Sequence, residues 1–445
     1  MSVWKSCDIR GVFGTELDTA FATRLGRAIG ARTMGETVLV AGDVRPSTGL
    51  LKPALIAGLV ASGARVLDAG IVPTPAFYHA KRRLGAACGV MVTASHNPAV
   101  YNGFKIELGA LPITEEELAE LRAAVERDSW SPAPGGSVEP VDALGPYQHM
   151  LIEAFPPLKR QRVVVDAGNG CMSTVAPPLL AELGIDVQPL FSEPDGTFPH
   201  RSPNPADARN LVALSEAVRA AGAELGLAFD GDGDRVAVVD GAGQMQPADR
   251  VFVLLVQRAL RTRPGAPIVY DLKSSAVVPE AIVAAGGRPC PERSGFAYIK
   301  RRLWSEGAPL AGEVSGHYFF GELGGDDALY AACALLAELD ARGQTLDEAL
   351  AGVPRYPITP DIRVACPPER ARAIIAELAA AYADHPLDRL DGVRIEFGDG
   401  WALARESVTE PLITLRFEAH TPERLAAIQR EVRAASPLLQ ETWPG

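Results

Sequence analysis

Two stretches of this chain carry side chains able to do chemistry. The first is Cys88-Gly-Val-Met-Val-Thr-Ala-Ser-His-Asn-Pro98, where a short apolar run stops at small and polar residues and a proline. Val90-Met-Val92 predicts a buried strand. Pro98 fixes its own φ and pushes Asn97 toward an extended shape, so the turn is stiff. Ser95 is thereby lifted from the carboxyl end of a strand, where open α/β sheets place their ligands. It is a candidate nucleophile or phosphate carrier, although an ordinary polar turn has the same composition.

The second stretch is Asp230-Gly-Asp-Gly-Asp-Arg235, set between the apolar runs Leu225-Gly-Leu-Ala-Phe229 and Val236-Ala-Val-Val239. On an extended backbone Asp230, Asp232 and Asp234 face one way, and Gly231 and Gly233 allow the chain to bend and gather them. Three gathered carboxylates repel unless a cation neutralises them. All-oxygen donors suit a hard ion, Mg²⁺ before Zn²⁺. A calcium-binding EF-hand also opens on alternating acids, but needs Gly at its sixth position and Glu at its twelfth. Those positions hold Arg235 and Gly241.

Together, Thr93-Ala-Ser-His-Asn-Pro98 and the 230–235 segment resemble the signature motifs of the α-D-phosphohexomutase superfamily, and most of all its bacterial phosphomannomutase/phosphoglucomutase branch. The resemblance runs through essentially the whole chain. It implies a phosphoryl group on Ser95, with Mg²⁺ held by Asp230, Asp232, Asp234 and the Ser95 oxygen. It implies an isomerase that moves phosphate between the 1- and 6-positions of a hexose, with a hexose 1,6-bisphosphate as intermediate and activator. Arg10, in Asp8-Ile-Arg-Gly11, is similar to an active-site arginine of the family. His96 and Lys273 are expected at the substrate. Arg235 is placed to assist neutralisation or to touch the phosphoserine.

Other segments fit that chemistry. Lys105 follows the serine loop closely, and acts as general acid or base if its pKa is lowered there, or else as a phosphate counter-charge. In Gly312-Glu-Val-Ser-Gly-His317, the residues Glu313, Ser315 and His317 share a face if the segment is extended, and supply partners for sugar hydroxyls. The segment resembles the family's sugar-binding loop. Arg405, Ser407 and Thr409 alternate before Pro411 and suit a phosphate monoester; they resemble the family's phosphate loop. Two departures stand out. The family's Gly-Arg-Asp reads Ala41-Gly-Asp43 here. Phe296, in Arg293-Ser-Gly-Phe-Ala-Tyr298, occupies the position of a branch histidine. Phe cannot transfer a proton, so that duty falls to Lys105, to another group such as His317, or to water.

The elements that must position these residues repeat. Val38-Leu-Val-Ala-Gly-Asp43, Val163-Val-Val-Asp166 and Ile268-Val-Tyr-Asp271 are each a strand ending in an acid, followed by a polar loop, a helix, a glycine and, for the first two, a recognisable second strand. The spacing is that of whole domains, which predicts three similar α/β domains. Family resemblance adds a smaller C-terminal α+β domain and mixed, helix-sandwiched sheets around a central cleft. The expected boundaries give domains at 1–142, 143–243, 244–355 and 356–445, near Pro- and Gly-rich stretches. Gly168-Asn-Gly170 lacks the further glycine and acid of a dinucleotide fingerprint.

Composition limits the alternatives. With 445 residues the chain is too long for one core. A net charge of −12 argues against nucleic acid or an anionic membrane as the main partner, and the small phosphosugar that the resemblance implies must be held by local basic groups against that field. No apolar run approaches the ~18 residues that span a bilayer. Six scattered cysteines without a Cys-x-x-Cys pair read as reduced residues of a cytoplasmic enzyme, expected as a monomer or weak dimer. Competing functions are a phosphoglucosamine mutase, a Mg²⁺-dependent sugar phosphatase, and a silent sugar-phosphate sensor.

Overall fold

The computed structural model describes residues 3–33, 35–159, 161–407 and 411–443. Among them the chain forms four sheets, and the first three share one plan. In the first, the strand Thr37–Gly42 lies between Arg65–Ile71 and Cys88–Val92, parallel to both, and Tyr101–Leu108 continues the sheet antiparallel to Cys88–Val92. In the second, Arg162–Asp166 lies between Asp186–Leu190 and Leu225–Phe229, and Val236–Asp240 adds antiparallel. In the third, Pro267–Asp271 lies between Arg288–Glu292 and Leu310–Gly312, and Tyr318–Phe320 adds antiparallel. The triplicate sequence pattern is therefore a triplicate topology. The first sheet adds Ile9–Val12 beyond this unit and Ser137–Pro140 at its other edge.

The inner parallel strands are apolar because helices cover both faces. Cys88–Val92 and Leu225–Phe229 are buried at every residue. One apolar cluster runs from the first unit into the third, through Met91, Val165, Phe229 and Phe252. The C-terminal sheet is antiparallel throughout, from Ile362–Ala365 to Leu387–Asp388, and has its own core around Ile374, Phe417 and Val432. A small plug of Leu272, Trp401 and Leu403 joins it to the third unit.

This plan decides where the chemistry sits. The loop between the last parallel strand and the antiparallel strand holds Ser95 in the first unit, the 230–235 acids in the second, and 313–317 in the third. Three equivalent loops thus converge at the carboxyl ends of three sheets. Main-chain hydrogen bonds join two of them: Val236 N donates to Gly316 O at 3.1 Å, and Arg235 and His317 form an antiparallel bridge.

Candidate active site

Ser95 takes a left-handed backbone, φ +49°, which a residue with a side chain adopts only when its surroundings enforce it. Its hydroxyl donates to Asp230 Oδ2 at 2.8 Å. The approach is tight, because a Cβ at Gly231 would meet the Ser95 carbonyl oxygen at 2.6 Å. His96 Nδ1 is 3.3 Å from the same hydroxyl. Burial first, then Arg235 and Arg10, hold His96 well below the usual imidazole range. Arg10 donates to Asp8 at 2.8 Å and to Ala94 O and Asn97 Oδ1 at 3.3 Å, so it reaches the serine loop.

The acid segment is a folded turn rather than an extended strand. Asp230 Oδ1 accepts from the backbone N–H groups of Gly233, Asp234 and Arg235 at 2.9, 3.1 and 3.2 Å, and Gly233 stands at φ +79°. Folding the turn gathers the three carboxylates, with one oxygen of each within 4.8 Å of the others, and none is exposed. Asp232 Oδ1 is buried with no hydrogen-bond partner, and Asp234 Oδ1 faces His317 Nε2 at 3.2 Å. Burial, then Asp234 and Asp232, push Asp230 well above the usual carboxylate range. The orphaned Asp232 oxygen and the mutual repulsion are what a hard divalent cation relieves, so these residues fit such an ion.

Lys105 donates to Asp232 Oδ2 at 2.8 Å and to Asp234 Oδ2. Burial alone would lower its pKa, but the two carboxylates outweigh burial and raise it. Of the two roles open to Lys105, a raised pKa meets the condition for a counter-charge and not the lowered pKa that proton transfer would need. Phe296 faces it, with Nζ 5.7 Å from the ring centroid.

Glu313, Ser315 and His317 also sit on a turn instead of an extended face. Glu313 N donates to His317 O at 3.0 Å, and Gly316 takes φ +88°. The three side chains bond one another: Ser315 Oγ lies 3.2 Å from Glu313 and 2.9 Å from His317 Nδ1. His317 Nε2 is 3.2 Å from Asp234 and 3.3 Å from Arg235 Nε. Burial and Arg235 lower the His317 pKa, yet Asp234 and Glu313 prevail and push it up to about 9. Arg235 also stands 4.0 Å from Asp230. The third-unit loop therefore abuts the acid triad directly.

The remaining candidates lie apart from this cluster. A cavity of about 480 Å³ is lined by Asp8 of the first unit, Arg293 and Phe296 of the third, and Asp391, Arg405 and Ser407 of the C-terminal domain. Arg405 pairs with Asp391 at 2.8 Å. Thr409 lies outside the described residues. Lys273 pairs with Asp361 at 3.0 Å, and Arg416 reaches the same carboxylate at 3.4 Å. Phe296 links the regions, since it borders the cavity and faces Lys105.

Sequence reasoning missed three residues. Thr74 opens a helix and donates to Asp232 Oδ2 at 2.8 Å from 158 residues away in the chain. Asp326 is buried, lies 3.7 Å from His317, and both of its oxygens lack a hydrogen-bond partner. Its one sequence signal is the acidic pair Asp326-Asp327 before the helix Ala328–Arg342. Arg45 wraps the serine loop; an arginine two residues after a strand-ending acid was its only mark.

Comparison with known proteins agrees with this geometry. The chain matches "Phosphoglucomutase/phosphomannomutase, alpha/beta/alpha domain I" over 2–131, domain II over 146–243, domain III over 247–356, and the C-terminal domain over 362–435. It is 40% identical to the phosphomannomutase/phosphoglucomutase of Pseudomonas aeruginosa, covering 100% of this chain and 97% of that protein. It is 39% identical to a phosphoglucomutase of Neisseria gonorrhoeae, covering 99% and 98%. A crystal structure of a phosphoglucomutase/phosphomannomutase family protein from Burkholderia thailandensis superposes with a TM-score of 0.92 at 37% identity, covering 100% and 98%. With all four domains matched in order along the sequence and the serine and acid loops in contact, this chain belongs to the phosphoglucomutase/phosphomannomutase family.

Proposed function

We propose that this protein is a phosphohexomutase, an isomerase that interconverts the 1- and 6-phosphates of glucose and mannose through a phosphoserine and a bisphosphorylated sugar. One juxtaposition carries the reading: Ser95 Oγ lies 2.8 Å from Asp230 within a buried carboxylate triad, in a chain whose full-length relatives at 38–40% identity are named for this activity. Phosphorylated Ser95 gives its phosphoryl group to the free sugar hydroxyl. The Oγ–P bond breaks, a sugar O–P bond forms, and the hydroxyl proton passes to a base. The bisphosphate then reorients and returns its other phosphoryl group to Ser95.

We assign Mg²⁺ to Asp230, Asp232, Asp234 and the Ser95 oxygen, because all-oxygen donors prefer a hard cation. Bound there, it neutralises charge that develops on the transferring group. Lys105, kept as an ammonium, adds positive charge beside the acids. Phe296 cannot serve and Lys105 is held charged, so water accepts the hydroxyl proton, while His317, itself held protonated by Asp234 and Glu313, meets the sugar as an imidazolium. Glu313 and Ser315 fix its ring and face the sugar hydroxyls. Arg10 and His96 border the reacting serine, and Arg235 bridges the acid and sugar loops. Arg405 and Ser407, with Thr409 and Lys273, hold the phosphate that is not reacting. We divide the chain into domains at 1–142, 143–243, 244–355 and 356–445, with the cleft between them. No helix of the described residues is long and apolar enough to cross a membrane. Six free cysteines fit a reducing compartment, and we place the enzyme in the cytoplasm.

Turnover of glucose, mannose and glucosamine 1-phosphates with catalytic glucose 1,6-bisphosphate tests the reading. S95A should abolish turnover, and the wild-type Ser95 peptide should carry phosphate by mass spectrometry. Preference for the amino sugar would make the protein a phosphoglucosamine mutase. Release of inorganic phosphate without isomerisation would make it a phosphatase.

A further inference from the structure

None of the Arg45 side chain is exposed, so no substrate touches it. All five guanidinium N–H groups are nevertheless placed. Nε donates to Asp43 Oδ2 at 3.0 Å. Nη2 donates to Ser95 O at 2.8 Å and Asn97 O at 2.6 Å. Nη1 donates to Pro98 O at 2.7 Å and Tyr101 O at 3.0 Å. Four of the five donors thus grip main-chain carbonyls of one seven-residue segment, and the first of these belongs to Ser95 itself. The Phe198 ring, from the second unit, covers the guanidinium at 5.0 Å.

Asp43 completes the frame. It orients Arg45 through Nε and through the Arg45 backbone N–H, which donates to Oδ1 at 3.0 Å. It also accepts from Thr93 Oγ1 at 2.7 Å, and that hydroxyl accepts from Ser95 N at 2.8 Å. The Ser95 peptide is therefore held at both ends, its N–H through Thr93 and its carbonyl through Arg45. Both supports trace to one carboxylate. On its other side the Ser95 carbonyl meets the backbone of Gly231. An unusual φ of +49° and the aim of Oγ at Asp230 are what this frame enforces.

We propose that Arg45, oriented by Asp43, is a positioning residue for phosphoryl transfer: it locks the 95–101 loop so that Ser95 Oγ points into the acid triad. The inference rests on Ser95 as phosphate carrier. A lysine keeps the charge but has no planar fork, and reaches fewer carbonyls. Misplacing a reacting atom by about 1 Å costs about 100-fold in rate.

The full-length protein tests this with R45K and D43N, each checked for folding by circular dichroism and thermal denaturation. Folded R45K should lose about 100-fold in kcat for glucose 1-phosphate, with KM within about threefold of wild type, because the substrate clamp is untouched. The rate at which glucose 1,6-bisphosphate phosphorylates the Ser95 peptide should fall in parallel. D43N keeps the guanidinium but loosens its orientation, and should lose about tenfold in kcat at unchanged KM. A merely structural role would lower the melting temperature and leave kcat of the folded protein intact. Wild-type kcat in either folded variant overturns the proposal, as does a loss confined to KM. Absence of turnover and of phosphoserine in the wild type would instead overturn the mutase reading.

Discussion

Replacing Asp327 by asparagine should stabilise this protein at alkaline pH and do progressively less as the pH falls. Asp327 is buried, caps the helix Ala328–Arg342 by accepting from Tyr330 N at 2.8 Å, and accepts from the Tyr147 hydroxyl at 2.9 Å. Its hydrogen-bond donors are neutral, and its neighbour Asp326 repels it. Burial pushes its carboxyl up to about 7. An unfolded aspartate titrates near ~3.9. The native state therefore binds more protons between those values, and stability falls as pH rises from about 4 to about 7. At about 1.4 kcal/mol per pH unit the ceiling is about 4 kcal/mol above pH 7. Asparagine caps a helix as well as aspartate does. Losing the charge at the helix start forfeits about 0.3–1 kcal/mol. D327N should then gain up to about 3–4 kcal/mol at pH 8, with the gain shrinking by up to about 1.4 kcal/mol per pH unit below about 7. Urea denaturation of both proteins at pH 8 and pH 5 measures the difference of differences. A gain equal at both pH values, or a loss at pH 8, would refute the reasoning.

Three further outcomes follow from named contacts. Glu107 pairs with Lys300 and, at 3.2 Å, with Lys81, all buried between the first and third units. E107Q strands two buried cations and should cost about 3–5 kcal/mol in chemical denaturation, whereas K300M leaves Glu107 its Lys81 partner and should cost less. D232N and D234N each remove a charged donor from the triad, and calorimetric titration with Mg²⁺ should show at least a tenfold weaker affinity than wild type; equal affinity would place the ion elsewhere. R405K loses a two-pronged contact to phosphate and should raise KM for glucose 1-phosphate about tenfold, with a smaller change in kcat; an unchanged KM would remove Arg405 from the clamp.

The chemistry was legible in the sequence where it is local. Ser95 and the three aspartates lie in loops short enough that a strand, a turn and their own residue types define them. The triplicate pattern of strand, acid, loop and helix announced three alike units, because an inner parallel strand must be apolar along its length and each helix needs its stop. Conformation within the loops was less legible. Alternating residues at 230–234 and 313–317 read as extended faces, yet both segments fold into turns closed by their own backbone hydrogen bonds, and the side chains converge by curling.

What sequence alone determined is which atoms are available and which unit carries each. What tertiary structure decided is who meets whom. Lys105 is an ammonium because two aspartates from a different sheet lie within bonding distance of it, and no local pattern encodes that field. Thr74, Asp326 and Arg45 join the site across separations that span whole domains or turn on a loop's exact path. Convergence of three equivalent loops follows from packing three sheets on a shared apolar core, a long-range property that residue types permit but only the folded chain fixes.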